Sequence, residues 1–141
     1  MDLPPASTPV VCDMTGAPDT AEERLAEYRR LFDRALVSRE DTAEGVRFRL
    51  RAEPGLEEWV RDLAAREKAC CAFFAFDVRT EAGQVIWDAA VIDDPAARAV
   101  LRQFVLLSEG AVQTPADLRD QFTALGLNLV SDPTGTVHRA I

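Results

Sequence analysis

Glu67, Cys70 and Cys71 fall within five residues, Glu67-Lys68-Ala69-Cys70-Cys71, in a chain whose remaining thiol is Cys12 and whose single histidine is His138. On a helix of about 3.6 residues per turn that begins near Leu56, Val60 lies about 40° from Leu56, Leu63 about -20°, Glu67 about 20° and Cys70 about -40°. The carboxylate therefore points with the apolar side chains. Such a group costs several kcal/mol unless it is paired, protonated, liganding or near an opening to solvent. One turn later the same stripe ends in two adjacent thiols. A carboxylate and a sulfur at i,i+3 or i,i+4 spacing are close enough to share a ligand.

Three uses of this segment follow from the chemistry. Thiolates bind soft ions such as Cu(I), Zn(II), Hg(II) or As(III), and Cys12 could add a third sulfur if the N-terminal segment folds back over the pair. A chelate of this kind needs the helix to end at Cys70 or Cys71, because successive side chains on a helix diverge by about 100°. Lys68 nearby would favour thiolate, and the helix C-terminal dipole would oppose it. Alternatively, vicinal thiols serve as a redox pair, or one acts as a covalent nucleophile with Glu67 as acid or base. In the third reading the cysteines are structural, small buried groups at a helix end. An odd number of cysteines without an export signal argues against a disulfide framework. His138, in the C-terminal tail, reads as a surface residue.

The elements that must hold these residues are legible from periodicity. Thr20-Ala21-Glu22-Glu23 fits a capping box, and Leu25, Tyr28, Phe32, Ala35 and Leu36 recur at helical spacing, which predicts a helix over 20–36. Val46, Phe48 and Leu50 alternate with Arg47, Arg49 and Arg51 after the turn Asp41-Thr42-Ala43-Glu44-Gly45, giving a first hairpin. The arginines read as a solvated strand face beside acidic residues. Pro54 and Gly55 open the second helix, with Leu56, Trp59, Val60 and Leu63 on one side. Phe74, Phe76 and Val78, then Glu81-Ala82-Gly83 and an apolar run over 85–92, give a second hairpin. Asp94-Pro95 caps a third helix with Val100, Leu101, Phe104 and Leu107 facing inward. Thr114-Pro115-Ala116-Asp117 opens a short fourth, closed by Gly126.

Two hairpins each followed by a helix predict an α+β fold, a four-stranded mainly antiparallel sheet with three to four helices packed on one face. The expected organisation is a flexible leader over 1–19, one domain over 20–130 and a tail over 131–141. A length of 141 residues with 48% hydrophobic and 28% charged residues is ordinary globular composition. The net charge of -8 argues against nucleic-acid binding. No apolar run is long enough to span a bilayer and no secretory signal precedes the domain, so the expectation is a cytoplasmic protein without a membrane partner. A homodimer through a sheet edge and a protein partner both stay open.

The segment from Ala65 to Phe76, followed by a hairpin and the Asp94-Pro95 helix, resembles a group of small, poorly characterised bacterial proteins with a Glu-x-x-Cys-Cys-Pro-Phe-like signature. The resemblance covers roughly residues 45–107 and carries over only Glu67, Cys70 and Cys71. It implies a role in handling soft metals. Ala72 stands where that signature has proline, which bears on how sharply the helix ends. Together these readings give, as the leading expectation, binding of a thiophilic metal or metalloid ion by Cys70 and Cys71, assisted by Glu67 and Cys12. A thiol redox or covalent-cysteine enzyme and a non-enzymatic interaction or regulatory domain with structural cysteines are the alternatives.

Overall fold

Thr20 begins the first helix by exchanging hydrogen bonds with Glu23. Its hydroxyl accepts from the Glu23 amide at 3.1 Å, and the Glu23 carboxylate accepts from the Thr20 amide at 2.9 Å. The computed structural model describes residues 1–109 together with the strands Leu127–Leu129 and Val137–Arg139. Helix α1 runs Ala21–Ala35 and passes directly into β1, Leu36–Asp41, which pairs with β2, Gly45–Arg51. Helix α2 is Leu56–Cys70, followed by the hairpin of β3, Phe74–Glu81, and β4, Gln84–Val91. Helix α3, Pro95–Ser108, starts where the Asp94 carboxylate accepts from the amides of Ala96 and Ala97. The α+β arrangement expected from the two hairpins is the one observed.

The strand order, which the pattern left open, is β1-β2-β4-β3, antiparallel throughout. Each hairpin contributes its second strand to the centre. Gly45 belongs to that central contact, because a side chain there would run into the backbone carbonyl of Ala89. In the β3–β4 hairpin Glu81 pairs with Gln84 across the two-residue turn Ala82-Gly83, whose φ values of 51° and 77° are both left-handed.

Period-2 alternation gives the sheet two unlike faces. Phe48, Trp87 and Val78 lie side by side in register on the inner face, and the rings of Tyr28, Phe32 and Phe104 pack against it from α1 and α3. Trp87, Phe48 and Phe74 are fully buried, as core aromatics dominating the burial of a small domain should be. On the outer face β2 presents Arg47 and Arg49 beside Asp88 and Ile86 of β4, with Asp77 and Arg79 of β3 beyond. Arg47 grips Asp88 through two nitrogens at 2.7 and 3.1 Å, Arg79 bridges Asp77 and Asp88, and Arg49 reaches Glu40 at 3.0 Å. The arginines thus form the polar face expected, with their charges paired across strands.

The fourth helix expected after Thr114 lies outside the described residues. Leu127–Leu129 and Val137–Arg139 pair antiparallel as β5 and β6, with Asn128 opposite His138. That pairing was not anticipated from the pattern of the tail. Among the described residues no helix is long and apolar enough to cross a membrane.

Candidate functional site

The inward stripe of α2 comprises Leu56, Val60, Leu63, Ala64, Glu67 and Cys70, so the phase read from the sequence puts the carboxylate where it is found. Glu67 is only 8% exposed. What satisfies it is Arg24 of α1, itself 3% exposed, whose Nη1 donates to Glu67 Oε1 at 2.9 Å. Burial of an unpaired carboxylate is prohibitive, and a guanidinium that is itself fully hydrogen-bonded removes the problem. In Arg24 each of the three guanidinium nitrogens has a carboxylate acceptor. Its Nε and Nη2 each donate to Asp19 at 2.6 Å, a two-pronged clamp on the residue just before the helix cap.

The pairing continues outward. Arg66 Nη1 donates to Asp19 at 2.9 Å and the same guanidinium holds Glu27, which also accepts from the Trp59 indole at 2.7 Å. The cationic partners set the carboxylates' protonation. Arg24 holds Asp19 below the usual carboxylate range and Arg66 does the same for Glu27, in each case against the opposing effect of burial. Burial works to strip the proton from Arg24, and Asp19 and Glu67 more than reverse it. Tyr28, one turn after Arg24, is fully buried, and its hydroxyl has no hydrogen-bond partner among the described residues. Burial first, and the nearby Glu67 second, push its ionisation well above the ordinary tyrosine value.

The three cysteines do come together, but not as free thiolates. Cys71 caps α2 and is joined by a disulfide to Cys12, 59 positions away in sequence, with Cα atoms 4.4 Å apart. The helix ends there without the proline of the signature. The Cys71 amide still donates to the Glu67 carbonyl, and Lys68 Nζ donates to the carbonyls of Ala72 and Phe74 at 2.7 and 2.6 Å, pinning the turn into β3. Lys68 therefore serves backbone acceptors rather than a thiolate. Cys70 is the free cysteine, 7% exposed, with Arg24 Nη1 3.9 Å from its sulfur. Burial raises its thiol above the ordinary value despite Arg24.

This geometry corrects the leading expectation from the sequence. A soft-ion site for Cu, Zn, Hg or As built from Cys70, Cys71, Glu67 and Cys12 would need deprotonated sulfurs and an available carboxylate oxygen. Cys12 and Cys71 have spent their sulfurs on each other, Glu67 Oε1 is held by Arg24, and Glu67 Oε2 lies 3.8 Å from the disulfide sulfur of Cys71. Among the described residues no group of three His, Cys, Asp or Glu side chains could hold a metal ion. The argument from an odd cysteine count also fails, because an odd count excludes only complete pairing. Cys12 is likewise no exposed thiol: it is 8% exposed and packs with the core.

Sequence reasoning missed Arg24, Asp19 and Arg66. A signal for Arg24 was present, since Arg24, Tyr28 and Leu31 follow i, i+4, i+7 and place the guanidinium on the buried stripe of α1. Its pairing with a residue 43 positions away had no local signal. Comparison of the chain with protein-family models, with curated proteins and with solved structures finds no match.

Proposed function

We propose that this chain is a non-enzymatic interaction or regulatory domain whose cysteines are structural. The observation that carries the reading is the Cys12–Cys71 disulfide, which consumes two of the three sulfurs and ties the segment before α1 to the end of α2. Supporting it, Glu67 is engaged by Arg24 instead of facing a substrate cavity, and the remaining thiol is held protonated by burial. A nucleophilic cysteine needs the opposite, a lowered pKa and access. Among the described residues, the surfaces offered to a protein partner are the sheet's edge strands β1 and β3 and the paired-charge outer face between them.

A disulfide closing a loop of 59 residues is worth about 4 kcal/mol in the chain-entropy account, and 2–4 kcal/mol is typical. Replacing Cys12 or Cys71 by alanine is therefore expected to lower the thermal midpoint to a similar extent. The same loss should follow when the wild-type protein is treated with dithiothreitol. Neither the wild type nor the variants should turn over insulin disulfides. Catalytic insulin reduction by the wild type, abolished in Cys70→Ala, would overturn the reading and favour a thiol enzyme. Hydrogen exchange compared between buffer and cell extract locates the partner surface; a domain with no patch protected in extract is not an interaction module.

A further inference from the structure

The leader is held to the domain by more than its disulfide. The Asp13 amide donates to the Cys70 carbonyl at 2.9 Å, Val10, Met14 and Ala17 rest against the core, and Asp19 is clamped by Arg24 and Arg66. The segment therefore crosses the C-terminal end of α2 as a strap. Between strap and helix lies a cavity of about 190 Å³, walled by Asp13, Gly16, Ala17 and Pro18 on one side and floored by Arg66, Ala69 and Cys70 on the other. The free thiol residue thus lies at the floor of a cavity roofed by the chain segment that its sequence neighbour tethers, with Arg24 of α1 beside its sulfur.

We propose that the Cys12–Cys71 disulfide is a redox-operated latch, whose reduction frees the strap and uncovers Cys70 while the rest of the domain stays folded. The inference rests on the structural-cysteine reading and adds regulation to it. The reductant is a dithiol. One of its thiolates attacks Cys12 Sγ, the Cys12–Cys71 bond breaks, and its electron pair goes to Cys71 Sγ, which takes up a proton. The second thiolate of the reductant then displaces Cys12 from the mixed disulfide. The products are two protein thiols and one cyclic or protein-borne disulfide, a two-electron exchange. Cys70 itself is neither oxidised nor reduced. Its accessibility changes, because the strap's other attachments among the described residues include one backbone hydrogen bond to the end of α2, partly buried apolar contacts and ion pairs near its hinge at Asp19. Such attachments sit at the low end of local opening free energies.

The test uses the full chain in two forms whose single reactive thiol is Cys70: oxidised wild type, and the Cys12→Ser, Cys71→Ser double variant. Iodoacetamide should modify Cys70 at least about tenfold faster in the double variant, since a covered thiol reacts only through opening. Equal rates would overturn the latch. Because the double variant could lose its fold altogether, wild type is also followed by hydrogen exchange before and after dithiothreitol. Faster exchange confined to residues 1–19 and the end of α2 supports the latch. Acceleration spread through β2 and β4 would overturn it, showing that the disulfide supports the whole domain rather than a separable strap. Either negative leaves the structural-cysteine reading intact, whose own tests are insulin turnover and the effect of the disulfide on stability.

Discussion

At the scale of single residues, the buried Arg24–Glu67 pair is the point on which the site turns. Each charge is nearly out of solvent, so removing either partner strands the other. Arg24→Met alone is expected to cost about 3–5 kcal/mol, the usual penalty for an uncompensated buried charge. Glu67→Leu should be much milder, because Arg24 retains Asp19. The double variant should recover most of the loss, since an apolar pair of similar volume can replace a buried ion pair at little cost. Urea unfolding midpoints of the two single variants and the double variant check this. Additive losses would mean that Arg24 acts through Asp19 and that its pairing with Glu67 contributes little.

At the scale of elements, the β3–β4 turn carries a residue in a conformation its type disfavours. Ala82 has a φ of 51°, at a turn position where both central residues must be left-handed. An L-residue with a Cβ pays roughly 1 kcal/mol there, while glycine does not. Ala82→Gly is therefore expected to raise stability by a few tenths to about 1 kcal/mol, the gain being reduced by glycine's larger unfolded-state entropy. Ala82→Asn should do at least as well, because asparagine tolerates this conformation and restricts the unfolded chain more. Thermal denaturation reads the effect, and a lower midpoint for both variants would show that the turn is not the strained element described. The hairpin matters beyond itself because β4 is the inner strand that pairs with both β2 and β3.

At the scale of the whole molecule, paired carboxylates set the response to acid. Asp19, Glu27 and Asp88 all have lowered pKa values. For Asp88 burial works the other way and Arg47 and Arg79 outweigh it. In the unfolded chain these groups bind protons at ordinary values near 3.8 for aspartate and 4.5 for glutamate. The folded state binds them only at lower pH, so the stability they contribute is complete above the ordinary values and drains away as pH falls through the folded ones. Denaturation midpoints should be level above about pH 5.5 and drop below about pH 4. Asp88→Asn should flatten that drop while lowering stability at neutral pH. An unchanged acid slope in that variant would place the acid response elsewhere.

Periodicity and local capping chemistry determined the two hairpins, the three helices, the polar outer face and the burial of Glu67, because each depends on neighbours within a turn or two of chain. The Thr20 box, the Asp94 cap and the alternation of Val46, Phe48 and Leu50 with arginines are local chemistry and were legible as such. The strand order, the partner of Glu67 and the fate of the cysteines were not. Each depends on a contact between residues tens of positions apart: β2 beside β4, Arg24 beside Glu67, Cys12 beside Cys71. A misplaced carboxylate next to two thiols is chemically ambiguous until its neighbours are placed. Packing of α1 against α2 brought a guanidinium to the carboxylate, and the path of the strap brought a third sulfur to Cys71. Those two long-range contacts turned an apparent ligand set into an ion pair, a disulfide and one covered thiol.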